Sequence, residues 1–90
     1  MVPDLVAEVI SESNTADQVA IKIEEYFQAG VHVVWVIYPV TNKIYIYDSP
    51  TRVRILQLGD ELDGGDTIPG FRVALSTLFE ATGEEPEPTE

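Results

Sequence analysis

Ninety residues carrying sixteen acidic and five basic side chains, a net charge of −11, describe one small domain poorly suited to holding a polyanion. A hydrophobic share of 44% excludes a disordered chain, and the absence of cysteine excludes disulfides, thiol catalysis and thiolate metal sites. No run approaches the ~18 apolar residues of a membrane span and the start is not basic like a signal peptide, so a cytoplasmic protein of bacterial type is expected.

The chain opens with "PDLVAEVI", residues 3–10, where Leu5, Val6, Ala7, Val9 and Ile10 predict a short strand covered on both faces. Glu8 interrupts it. A buried carboxylate is costly unless it is protonated, paired or bound to a cation. The stretch "SNTADQVAIKIEEYFQAGV" then predicts a helix. Thr15 and Gln18 match a capping box, and Gly30 supplies the stop. Val19, Ile23, Tyr26 and Phe27 form its apolar stripe, with Lys22 at the border.

"VHVVWVIY" (31–38) is dense in β-branched and aromatic residues and reads as a central strand. "PVTN" turns the chain into "KIYIYD", a hairpin partner, and "SPT" turns it again into "RVRILQL", whose Arg52 and Arg54 share a face. "GDELDGGDTIPG" is a glycine- and acid-rich loop. "FRVALSTLFEA" predicts a short strand and a helical turn capped by Ser76. "GEEPEPTE" holds four acids and nothing to bury, so 83–90 reads as a disordered tail and 1–82 as the domain, whose charge stays near −7.

The order β-α-β-β-β, then a short strand and helix, predicts an α/β (α+β) fold. Its core is a mixed β-sheet with one main crossover helix on one face. A right-handed crossover makes 3–10 and 31–38 parallel neighbours, with 3–10 internal to the sheet and Glu8 at least partly buried.

These residues resemble a known family. "PDLVAEVIS", an Asp and a Lys on the following helix, "YFQAGV", Trp35 and "YP" look like the Uma-type putative restriction endonucleases of bacteria, over residues 3 to about 80. The resemblance implies the PD-(D/E)xK nuclease fold, in which strand carboxylates hold a divalent metal and a nearby lysine activates water or stabilises charge on phosphate. A hard ion such as Mg²⁺ or Mn²⁺ suits that work, because it takes carboxylate oxygens and polarises phosphate. By resemblance, Glu8 is the strand carboxylate and Lys22 the catalytic lysine, displaced from the position that Ile10 occupies. Asp4 matches the "PD", making Asp4 and Glu8 the implied metal ligands, and Asp17 matches the helix-start acid. Strand alternation places Asp4, Val6, Glu8 and Ile10 on one face.

The departures matter too. The family is usually about twice this length, with an upstream strand that supplies a further metal-binding Asp, whereas "PDLV" follows Met1-Val2 directly here. Val33 and Tyr38 stand where the family's "EYW.VDP" stretch carries acids. Either relaxed selection or an altered site accounts for that.

Each candidate also has a purely structural reading. Glu8 can be a half-exposed strand residue or a partner of Lys22. Lys22 can cover apolar surface with its stem. Asp4 suits a strand start, and Asp17 suits the helix dipole. His32, a lone histidine, is a hydrogen-bonded structural residue rather than a ligand. Trp35 and Tyr26, Tyr45 and Tyr47 read as core packing rather than base-stacking platforms. Arg52 and Arg54 read as cross-strand ion-pair partners. The acidic loop lacks the ligand spacing of a calcium site.

Two functions follow. One is a metal-dependent DNA endonuclease of the PD-(D/E)xK type, weak or inactive in this short form. The other is a non-catalytic remnant acting as a dimeric interaction domain. An unblocked strand at 3–10 further predicts a homodimer through an exposed sheet edge. DNA is a partner by resemblance but is disfavoured by charge, and no membrane contact is expected.

Overall fold

A computed structural model describes residues 2–81; the acidic tail at 83–90 lies outside them. The elements run β1 (Leu5–Val9), α1 (Ala16–Gln28), β2 (Val33–Tyr38), β3 (Lys43–Ser49), β4 (Arg52–Leu56), β5 (Glu61–Asp63), β6 (Arg72–Ala74) and α2 (Leu75–Ala81). The mixed α+β architecture expected from the sequence is present.

The four-stranded sheet has the order β1-β2-β3-β4. β1 lies parallel to β2, with Ala7 opposite Trp35 and Glu8 opposite Val36, and the two hairpins that follow are antiparallel. This corrects the expectation that strand 3–10 is internal. The crossover through α1 sets β2 directly beside β1, and both hairpins then extend the sheet away from β1. Among the described residues β1 is an edge strand, as β4 is at the far side.

Alternation along the strands separates two cores. On one face Val34 and Val36 are buried with Ile23 of α1 and Val31, while Val6, Ile10, Tyr45 and Tyr47 pack around them. On the other face Trp35, Ile44 and Leu56 are buried against Leu62, Leu75 and Phe79. Trp35 is therefore core, as expected. Its ring lies 6.0 Å from that of Phe71.

The capping box of α1 is present: the Gln18 amide N–H donates to the Thr15 hydroxyl, and the Gln18 side chain accepts from the Thr15 N–H. Gly30, at φ +107°, ends the helix in a conformation that costs a side-chain-bearing residue dearly.

Two local expectations need correction. The acidic loop is not wholly irregular, because Glu61–Asp63 pairs with Arg72–Ala74 as a separate two-stranded sheet. Arg72 also sits 3.4 Å from Glu61 and 3.6 Å from Asp63 and joins the two strands by charge. Ser76 is not a helix cap either. α2 starts at Leu75, straight from β6, and the Leu75 amide is satisfied by the Asp60 carbonyl at 3.1 Å.

The backbone of β1 has a definite polarity. The Asp4 carbonyl accepts from the Val33 amide at 3.0 Å, and the Ile10 amide donates to the Ile37 carbonyl at 2.9 Å. In a parallel ladder alternate residues bond to the same neighbour. Even-numbered residues of β1 thus turn their peptide groups to β2, and Leu5, Ala7 and Val9 turn theirs outward.

Candidate functional site

Glu8 follows from the alternation that fills the cores. It lies on the same face as Val6 and Ile10, under α1, with 27% of its side chain exposed. Helix α1 presents two polar groups to it. Lys22 Nζ lies 3.7 Å from Oε1, and the Tyr26 hydroxyl donates a hydrogen bond to Oε2. Lys22 and Tyr26 are four residues apart, one turn of the same helical face. Both carboxylate oxygens are therefore engaged, one by an ammonium and one by a phenol.

The electrostatics follow from this contact. The hydrogen bond to Glu8 is the main cause that pushes the Tyr26 pKa up to about 12, helped by burial and by the negative charges of Glu8 and Glu25. Tyr38 and Tyr47 are raised as well, chiefly by burial and secondarily by neighbouring tyrosines.

An open groove of about 410 Å³ lies beside the cluster, lined by Glu8 and Lys22 together with Asn14, Gln18, Ile10, Val19 and Ile21. Tyr26 does not line it. Tyr26 packs against the core as expected, and the contact of its hydroxyl with Glu8 is what sequence reasoning missed. The position of Tyr26 four residues after Lys22 was the available signal.

Asp4 does not join this cluster. It precedes β1, is exposed, and its Oδ1 sits 3.3 Å from Nδ1 of the exposed His32. Alternation does place Asp4 and Glu8 on one side, but four residues of extended chain separate them by about 13 Å. Two short carboxylates that far apart do not close on one ion. Among the described residues no group of three His, Asp or Glu side chains is placed to hold a metal. The described donor set does not fit a divalent ion at Glu8. Asp17 lies in the first turn of α1, where the dipole reading suffices.

The arginines of β4 lie elsewhere. Arg52 of β4 pairs with Asp48 of β3 at 3.6 Å, the cross-strand partner expected of it, and Arg54 stands opposite Ile46, with no ion pair among the described residues. No described helix is long and apolar enough to cross a membrane.

Comparison with known proteins bears on the fold and the family. The crystal structure of a putative nuclease belonging to DUF820 from Anabaena variabilis superposes with a TM-score of 0.77 at 16% identity. The match covers 89% of this chain and 45% of that one, so the chain spans under half the length of that neighbour. No curated protein matches. Residues 1–76 match the Uma2 family, described as putative restriction endonucleases. By that match over most of its length, the chain belongs to the Uma2 family of putative restriction endonucleases.

Proposed function

We propose that this chain is a nuclease domain of the PD-(D/E)xK type in which Glu8 and Lys22 are the catalytic residues, and that alone it cleaves DNA weakly or not at all. The observation that carries this reading is the pairing of Glu8 with Lys22 at 3.7 Å beside an open groove, on a nuclease-like fold. A lysine ammonium next to a groove is suited to neutralise the charge that builds on a phosphate during its hydrolysis. Tyr26 limits the freedom of the carboxylate, as a reacting geometry requires.

The low activity rests on two further points. The Mg²⁺ or Mn²⁺ implied by the family needs ligands beyond Asp4 and Glu8, which lie too far apart to share an ion. A net charge of −11 opposes the approach of DNA. These same points favour a second reading, a non-catalytic interaction domain.

The test is incubation of the purified chain with plasmid and single-stranded DNA in Mg²⁺ and in Mn²⁺, beside Glu8→Ala and Lys22→Ala controls. The expected result is at most trace cleavage that both substitutions abolish. Cleavage unaffected by either substitution removes the assignment to Glu8 and Lys22. A complete absence of cleavage, with no Mn²⁺ binding by calorimetry, leaves the interaction domain as the function.

A further inference from the structure

The two ends of the main sheet are protected unequally. Sheet edges present unpaired peptide groups, and proteins usually guard them with charge, proline or a bulge. β4 carries Arg52 and Arg54, both exposed, and the register between β3 and β4 shifts between Tyr47 and Ser49. β1 carries neither proline nor a basic residue. Its single charge, Glu8, is turned under α1 and held by Lys22 and Tyr26. The outward peptide groups of β1 belong to Leu5, Ala7 and Val9, whose side chains are all apolar. Ala7 is exposed, and Val9 is 61% exposed.

We propose that β1 pairs antiparallel with β1 of a second copy of this chain, about a two-fold axis at Ala7. The pattern is self-complementary. An antiparallel register centred on Ala7 sets Leu5 opposite Val9 of the partner and Ala7 opposite its own counterpart. In such a ladder, pairs whose peptide groups face each other exchange both hydrogen bonds. Every outward N–H and C=O of these three residues then gains a partner, and the exposed Val9 side chain gains an apolar neighbour. Glu8 falls opposite Val6, so no like charges meet directly across the seam. The same operation at β4 leaves its exposed arginines crowded along the seam. A second copy is therefore the occupant that the β1 edge fits, giving one continuous sheet with both Glu8 clusters on the same face.

Long-range charge works against this pairing, because each copy carries −11. Association therefore strengthens with salt as the screening length falls from ~30 Å at about 0.01 M to ~3 Å at about 1 M. That sign is opposite to an assembly held by ion pairs.

The experiment uses the full 90-residue chain. Sedimentation equilibrium at about 100 µM, well above the micromolar range of a weak specific interface, is expected to show a dimer that tightens with salt. Amide hydrogen exchange is expected to show protection at Leu5, Ala7 and Val9 that grows with protein concentration. Ala7→Pro removes the central outward N–H, a change that edge strands tolerate. It is expected to weaken association at least ~10-fold while circular dichroism shows an intact fold. Val9→Lys, at an exposed position, provides the same test should Ala7→Pro not fold. A monomer at that concentration overturns the proposal. So does a dimer without protection at residues 5, 7 and 9, or undiminished association of the folded variants. None of these outcomes depends on DNA cleavage.

Discussion

The Tyr26 hydroxyl donates to Oε2 of Glu8, tying helix α1 to strand β1 across eighteen positions of sequence. A hydrogen bond to a carboxylate is stronger than one between neutral groups, and this one is only half-buried. Tyr26→Phe keeps the ring and removes the hydroxyl. The expected loss is about 1–2 kcal/mol in urea-unfolding stability.

The same contact sets a pH dependence. Folding raises the Tyr26 pKa from 10.0 to about 12. A group raised by folding contributes stability that is fully present below its unfolded value and is lost as pH rises through the folded one. Stability is therefore expected to fall between pH 10 and about 12, with the raised Tyr38 and Tyr47 adding in the same direction. An ultraviolet titration is expected to show Tyr26 ionising late in the parent chain and earlier in Glu8→Gln.

Lys22 touches the same carboxylate but is 58% exposed at 3.7 Å. Exposed ion pairs contribute about 0–1 kcal/mol. Lys22→Gln is expected to change stability by less than ~1 kcal/mol, well below Tyr26→Phe. Equal losses in the two variants, by the same unfolding measurement, contradict this ranking.

Gly64 has little room for a methyl group. A Cβ there meets the Ile68 carbonyl oxygen at 2.4 Å and the Ile68 Cβ at 2.7 Å. The Gly64 carbonyl also accepts from the Ile68 amide at 3.1 Å, and its amide donates to Phe71 at 2.9 Å, so the loop cannot simply open. Gly64→Ala is expected to cost about 1–3 kcal/mol and to lower the melting temperature accordingly.

Leu75 is fully buried where β6 becomes α2, in the core with Trp35, Ile44 and Phe79. Leu75→Ala removes buried methyl groups and leaves a cavity, at a cost of about 2–5 kcal/mol. For a domain of this size that is a large part of the total stability. Chemical denaturation is expected to show a much lower midpoint.

Much of the fold was legible because its signals are local. Thr15 and Gln18 are three residues apart, and the β-branched run of β2 needs no distant partner to be read. The edge position of β1 depends instead on which way the hairpins extend, and periodicity carries no such information. β5 is three residues long, too short for alternation to stand out among glycines and acids. At the site, the Glu8–Lys22 pair was among the readings of the sequence, whereas the bond from Tyr26 was hidden by a ring that packs like any core aromatic. Asp4 shares the side of Glu8 yet stands apart from it along the strand, beside His32. Shared face is a statement about direction along a strand, while sharing an ion is a statement about distance.

The strand order β1-β2-β3-β4 repeats the order of the chain, and this has a consequence for how the molecule folds. β2, β3 and β4 meet through short turns, so their contacts close at small entropic cost. β1 reaches β2 only after the whole of α1 has been accommodated between Val9 and Val33. Rates of folding fall as contacts become less local. The β2–β4 meander is thus expected to form first, with β1 and α1 docking late. The Glu8–Tyr26 bond belongs to that step. Its loss is expected to speed unfolding while leaving the folding rate nearly unchanged.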